Sequence, residues 1–196
     1  ASFGDFEKVL NFYKYMNRKF KDLITSFEFM NKESIRKIQK KDIKKVLYIY
    51  NYHIENSLSN FAEKKITLRN FSTLVNKIIR KKLPFIIYEK NNNILGLAFL
   101  DEYRYKSGYR YTFENSIYVH PDFMNIGIGS KLLKNLILYS KKNNNIKNIV
   151  AVIGGSKNHS SIKIHKKNGF IKIGILKKVG FKKNKWIDSV YMQKIL

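Results

Sequence analysis

The sequence predicts an α/β domain preceded by a helical extension, and three observations carry that prediction. From Tyr111 onward the chain alternates strand, glycine turn, helix, strand and helix, the order of a locally parallel sheet. Between Ile35 and Leu100, short β-branched and aromatic runs are separated by turn residues and by two stretches of helical spacing. Ahead of both, Phe6, Val9, Tyr13, Met16, Phe20, Leu23, Phe27 and Met30 fall alternately three and four apart, on one face of a helix. The expected organisation is an extension over residues 1–34 and one domain over 35–196, long enough to bury a core.

The extension must cover its apolar face. Docking on its own domain is the first expectation, with a partner subunit, a membrane surface or the remnant of a targeting segment as alternatives. Ile35 to Ile38 reads as a short strand. Asp42 then stands where it would cap a helix through Ile43, Val46, Leu47 and Tyr50, up to about Asn56. Thr67 is placed to cap a second helix through Leu68, Phe71, Leu74, Val75 and Ile78, ended by Pro84. Phe85 to Tyr88, Ile94 to Leu100 and Tyr111 to Val119 follow as strands, the first two joined by a hairpin over Asn91–Asn93. After the glycine turn come a helix over 131–142, a strand over Asn148 to Ile153 and a helix over Ser160 to Lys167. Strands over Ile171 to Leu176 and Lys185 to Met192 close the chain.

Composition narrows the chemistry. With no cysteine, a disulfide framework, a thiolate metal site and a cysteine nucleophile are excluded, and a reducing compartment fits. The chain has no apolar run long enough to span a bilayer. The expected location is cytoplasmic, although a first residue of Ala1 leaves room for an upstream organellar targeting segment. The net charge of +25, from 39 Lys and Arg against 14 Asp and Glu, invites a polyanion partner. Against that, the lysines are scattered and travel with asparagines, as in Lys141 to Asn145 and Glu89 to Asn93, so no specific nucleic-acid surface is read. His53, His120 and His159 lack metal-ligand spacing, and no metal site is expected.

The chemistry concentrates between Ile117 and Ser130. A strand runs into Gly127-Ile128-Gly129-Ser130 and a helix follows, so unpaired backbone N–H groups and a positive dipole end are offered to a pyrophosphate. The ordered set Ile35–Asp42, Ile49–Glu55 with Phe61, Phe113–Pro121, Ala151–Gly154 with Asn158, Ile164-His165, Gly169-Phe170, Val179–Lys182, Trp186–Asp188 and Met192-Gln193 resembles the Gcn5-related N-acetyltransferases. More narrowly it resembles their phosphinothricin and methionine sulfoximine acetyltransferase branch. The resemblance covers residues 35–196. It departs at Met124 and Asn125, where the family's turn carries Gln or Arg and then a basic or small residue, so the pyrophosphate would lean more on backbone N–H groups.

That resemblance implies the acyl-CoA N-acyltransferase fold, a mixed central sheet flanked by helices, with acetyl-CoA (coenzyme A) as cofactor. It implies coenzyme contacts from Asn125, Ile126, Gly127, Ile128, Gly129 and Ser130 of the turn, from backbone groups of Tyr118 and Val119 on a strand that splays from strand 148–153, and from Asn158 and Ser161. It marks Glu114 as the base that takes the ammonium proton, a role for which a carboxylate beside the cofactor strand is chemically apt. His165 stands where many relatives carry a proton-donating tyrosine. An imidazole of pKa roughly 6.5 suits a general acid or a relay with Glu114. Ser161 lacks an evident His and Asp to activate it as a nucleophile. Arg104, Lys106 and Tyr109 match positions that hold the acidic end of an amino-acid-like amine, with Phe61 as an apolar wall. A homodimer formed near Trp186 and Asp188 is implied as well. An amino-sugar phosphate would suit the same cations. A basic polyanion-binding module without activity is the reading from a different class.

Overall fold

The computed structural model describes residues 3–30, 32–58 and 60–196, and the side chains of 7–24, 32–58 and 60–196. Its elements are α1 (Phe3–Met30), β1 (Glu33–Lys37), α2 (Ile43–Asn56), α3 (Leu68–Arg80), β2 (Phe85–Lys90), β3 (Asn93–Glu102), β4 (Thr112–Val119), α4 (Ile128–Lys141), β5 (Asn148–Gly154), α5 (His159–Lys167), β6 (Ile171–Lys182) and β7 (Lys185–Ile195). The strands form one seven-stranded sheet in the order β1-β2-β3-β4-β5-β7-β6. Every neighbouring pair is antiparallel except β4 with β5, which the α4 crossover makes parallel.

Helices cover both faces. On one, Phe71 of α3 meets Phe85 of β2, and Tyr50 of α2 meets Phe71 and Phe99. On the other, Ile128 and Leu132 of α4 lie against Gly96, which alternates along β3 with Leu97 and Phe99. Ile86, Leu97, Leu100, Leu132, Leu133 and Leu136 are fully buried between these layers. The β2–β3 hairpin turns on Asn91 and Asn92, both at positive φ, the two-residue geometry that asparagine tolerates.

Several expectations are corrected. Asp42 does not cap α2 through its side chain. Its carboxylate instead accepts from the Arg36 guanidinium at 2.7 and 3.0 Å and from the Gln39 N–H at 2.8 Å, while Arg36 also holds Glu89 at 2.9 Å. Burial works to raise the Asp42 carboxyl, but Arg36 and the Gln39 N–H outweigh it and hold it below its ordinary value. This network ties edge strand β1 to β2. Thr67 does cap α3, its Oγ1 accepting from Asn70 N–H at 3.2 Å. The helix expected from residue 131 begins at Ile128.

Strand β6 runs to Lys182, past the expected end at Leu176, because residues between Leu176 and Gly180 are absorbed by an irregularity in its pairing with β7. The three-and-four spacing expected on the extension runs along α1, but the described side chains of that face do not pack on the domain. Val9, Tyr13, Met16, Phe20 and Leu23 are all exposed, Phe20 at 69%. The side chains of Phe6, Phe27 and Met30 lie outside the described residues. Among the described residues, no helix is long and apolar enough to cross a membrane.

Candidate active site

The site originates in the parallel pair. Strands β4 and β5 are in register only over Thr112↔Asn148, Phe113↔Ile149 and Glu114↔Val150. Beyond Glu114 the β5-facing edge of β4 has no ladder partner, and a cavity of about 720 Å³ opens there. Its walls include Glu114 to Val119 from β4, Ala151 to Gly154 from β5, and Asn158, Ser161 and His165 from α5.

Met124, Asn125, Gly127, Gly129 and Ser130 close the end formed by the glycine turn. Asn125 and Gly127 adopt left-handed φ of 65° and 92°, which swings the chain into α4 with Gly127 as its N-cap. The first helical bond runs from Lys131 N–H to the Gly127 carbonyl at 3.1 Å. The N–H groups of Ile128, Gly129 and Ser130 precede it and face outward at the positive end of the helix, which fits a diphosphate. Ile126 is exposed and Ile128 is in the core, so neither offers a side chain to the cavity. Asn158 caps α5, its Oδ1 accepting from Ser161 N–H at 3.2 Å.

Glu114 sits where pairing ends, opposite Asp101 on β3. Burial pushes its carboxyl up to about 7, the Asp101 charge adds to the rise, and Arg104 opposes it. His165 is buried, with Nδ1 donating to the Ser161 carbonyl at 2.8 Å. That bond leaves Nε2 as the lone pair, and the Asn115 amide Nδ2 donates to it at 2.9 Å. Burial lowers the proton affinity of the ring, the Ser161 carbonyl opposing. The direct partner of His165 on β4 is therefore Asn115, which alternates with Glu114 across the strand. Asn115 Oδ1 is a buried atom with no hydrogen-bond partner among the described residues.

Tyr118 contributes more than backbone. Its ring packs on Tyr50 and His53, and its hydroxyl accepts from Asn60 Nδ2 at 3.1 Å. His53 Nε2 donates to the Val119 carbonyl at 2.7 Å, so that carbonyl is already occupied. Phe61 lines the cavity as expected of an apolar wall. Arg104, Lys106 and Tyr109 are exposed on the loop between β3 and β4, outside the cavity lining. Arg104 stacks on Tyr103, which in turn meets Tyr109. Asn60, His53, Asn115, Lys163 and Lys167 line the cavity and were not singled out from sequence. The four-residue spacing of the two lysines on α5 was the available signal for that pair.

A sequence profile of the acetyltransferase (GNAT) domain matches residues 35–191. The chain belongs to the GNAT acetyltransferase family. A phosphinothricin N-acetyltransferase of Alcaligenes faecalis is 32% identical over 83% of this chain and 82% of its own length. An L-methionine sulfoximine/L-methionine sulfone acetyltransferase of Salmonella typhimurium is 29% identical over 82% of this chain and 92% of its own. A GNAT phosphinothricin acetyltransferase from Sinorhizobium meliloti, solved with acetyl-CoA, superposes with a TM-score of 0.78 at 26% identity. That alignment covers 84% of this chain and 88% of the other. This GNAT chain is accordingly an N-acetyltransferase that uses acetyl-CoA. The open cleft beside an unpaired helix N-terminus is the feature of its structure that fits the coenzyme.

Proposed function

We propose that this acetyltransferase acts on the amine of a small, acidic, amino-acid-like acceptor of the phosphinothricin or methionine sulfoximine type, with Glu114 as general base. The observation that carries the reading is a carboxyl pushed to about 7 at the point where β4 leaves β5, inside the cavity. A base with that proton affinity is half-ionised near neutrality and can take an ammonium proton without holding it too tightly. The names of the two curated relatives support the acceptor class.

When bound, acetyl-CoA supplies an acetyl group on a thioester. The chain's part is to hold the diphosphate at Gly127–Ser130, aided by Lys163 and Lys167 on α5, and to exclude water around the acceptor amine. The unpaired edge of β4 at Val119 is positioned to donate its N–H into the cleft, whereas the N–H of Tyr118, opposite Leu97, points to β3. His165 is the group that can return a proton to a leaving sulfur. A proton at Nε2 would require the Asn115 amide to turn over and present Oδ1, the atom that otherwise lacks a partner. Arg104 lies near enough to lower the Glu114 carboxyl and can meet the acidic end of the acceptor.

The same reading pairs two copies through the β6–β7 edge of the sheet. It is supported by the outward apolar residues Ile173, Val179, Phe181 and Trp186, the last 63% exposed.

Free thiol release from acetyl-CoA, measured with methionine sulfoximine, phosphinothricin, methionine sulfone, glucosamine 6-phosphate and a lysine peptide, tests the acceptor. Turnover confined to the amino-acid analogues is expected, and turnover only of the sugar phosphate or the peptide would overturn the assignment.

A further inference from the structure

One buried cation takes no part in the chemistry described above. Lys182, the last residue of β6, is 2% exposed, yet among the described residues no carboxylate bonds its ammonium. Nζ instead donates to three backbone carbonyls, those of Ile54 at 2.6 Å, Ser57 at 3.0 Å and Asn60 at 2.5 Å. An ammonium has three donors, and all three are used. Ile54 lies in the last turn of α2 and Ser57 is its C-cap, so two acceptors belong to the negative end of a helix dipole. The third, Asn60, lies on the turn that lines the cavity.

Two glycines complete the seat for this turn. A Cβ on Gly180, two residues before Lys182 on β6, would fall 2.3 Å from Cε1 of Phe61. A Cβ on Gly154, at the end of β5, would fall 2.1 Å from the Leu58 carbonyl oxygen. The Phe61 ring therefore rests directly on backbone, in a place that no side chain at 180 would leave open. Asn60 is fixed from the other side as well, since its Nδ2 donates to the Tyr118 hydroxyl and its Oδ1 accepts from Ala62 N–H at 2.9 Å.

We propose that Lys182 is a positioning residue for the acceptor pocket: its ammonium clamps the end of α2 and the Asn60–Phe61 turn onto β6, and so holds the Phe61 wall at a fixed distance from Glu114. This rests on the acceptor lying on the Phe61 side of the cavity. The coenzyme end, built on the α4 N-terminus, is independent of the clamp. Lysine suits the position because only a flexible, three-donor cation can reach three convergent carbonyls. Methionine matches its length and offers no donor.

Lys182→Met and Gly180→Ala attack the seat separately, one at the clamp and one under the Phe61 ring. Each is assayed well below its own Tm for kcat, for KM of methionine sulfoximine, and for the Kd of coenzyme A by calorimetry. Amide hydrogen exchange over residues 57–62 is measured in parallel. In either folded variant the acceptor KM should rise tenfold or more, with coenzyme Kd within twofold. Exchange over 57–62 should be at least tenfold faster, with β2 and β3 unchanged. Unchanged acceptor KM in a folded variant, or coenzyme affinity that falls in step with it, would overturn the proposal. If the unaltered enzyme does not acetylate methionine sulfoximine, the acceptor assignment fails while exchange still decides the clamp: unchanged protection over 57–62 rejects it. Should Lys182→Met not fold, Gly180→Ala alone carries the same outcomes.

Discussion

At the scale of single residues, position in the sheet decides which groups are chemically active. Glu114 is the last β4 residue in register with β5, and one step further the strand lies open to the cleft. A carboxyl there loses water without gaining a cation in contact, hence its rise to about 7. The activity should therefore climb with pH through about 7, and Glu114→Gln should lower kcat/KM by about a hundredfold to ten-thousandfold while abolishing that limb. Stability moves the opposite way. A carboxyl whose folded pKa lies above its ordinary 4.5 stabilises the fold fully below 4.5 and loses that contribution as pH rises through about 7. Denaturant titrations should show this slope in the unaltered protein and its loss in Glu114→Gln. A flat pH–rate profile in the unaltered enzyme would remove Glu114 from the mechanism.

Gly127 gives a second residue-scale test. A side chain at its φ of 92° costs about 1–2 kcal/mol and reorients the N–H groups of the first turn. Gly127→Ala should thus weaken coenzyme A binding severalfold, read by calorimetry, and an unchanged Kd would show that the turn does not hold the diphosphate. Gly127 was legible in the sequence from the strand–glycine–helix order, and Glu114 through the family resemblance. Asn115, His53 and Lys182 were not. Their roles depend on which group faces them across the fold, over separations of 50 residues for Asn115 and His165 and up to 128 for Lys182 and Ile54.

At the scale of elements, periodicity and turn residues located the α-helices and strands among the described residues, though not the short 3-10 turns, and errors fell where tertiary contacts set the ends. Helix α4 starts early because a left-handed Gly127 lets Ile128 drop straight into the core, a burial that spacing from Lys131 onward could not reveal. Strand β6 is long because an irregularity lets pairing resume beyond Leu176, and local sequence marks Lys178, at positive φ, no differently from any surface lysine. Helix α1 is the instructive failure. Its three-and-four spacing was legible and so was its helicity, but amphipathicity says only that a face needs cover and is silent on what covers it. Because its described apolar side chains are exposed, it contributes little to the stability of the sheet. A chain lacking residues 1–31 should keep its kcat/KM within about twofold and its Tm within about 2 °C, as expected when none of the described side chains that are lost is buried. A fall of Tm by several degrees in calorimetry would show that α1 packs on the domain in solution.

At the scale of the whole molecule, the net charge of +25 acts on two associations with opposite signs. An anionic coenzyme is attracted by the field of the protein, so added salt should weaken its binding. A second copy of the chain is repelled, and salt should relieve that repulsion. If two copies meet through the β6–β7 edge, the contact must therefore be apolar enough to overcome like charge. The residues that face outward there, Ile173, Val179, Phe181 and Trp186, suit that demand, with Phe181 and Trp186 already packed edge to face at 5.1 Å. Sedimentation should then show the dimer fraction increasing between low and moderate salt, since the Debye length shrinks from about 30 Å at 0.01 M to about 10 Å at 0.1 M. Trp186→Asp, which puts an uncompensated carboxylate into the contact, should give a monomer at either salt. A dimer that survives Trp186→Asp, or one that dissociates as salt is added, would mean that another surface, held by charge pairs, joins the copies.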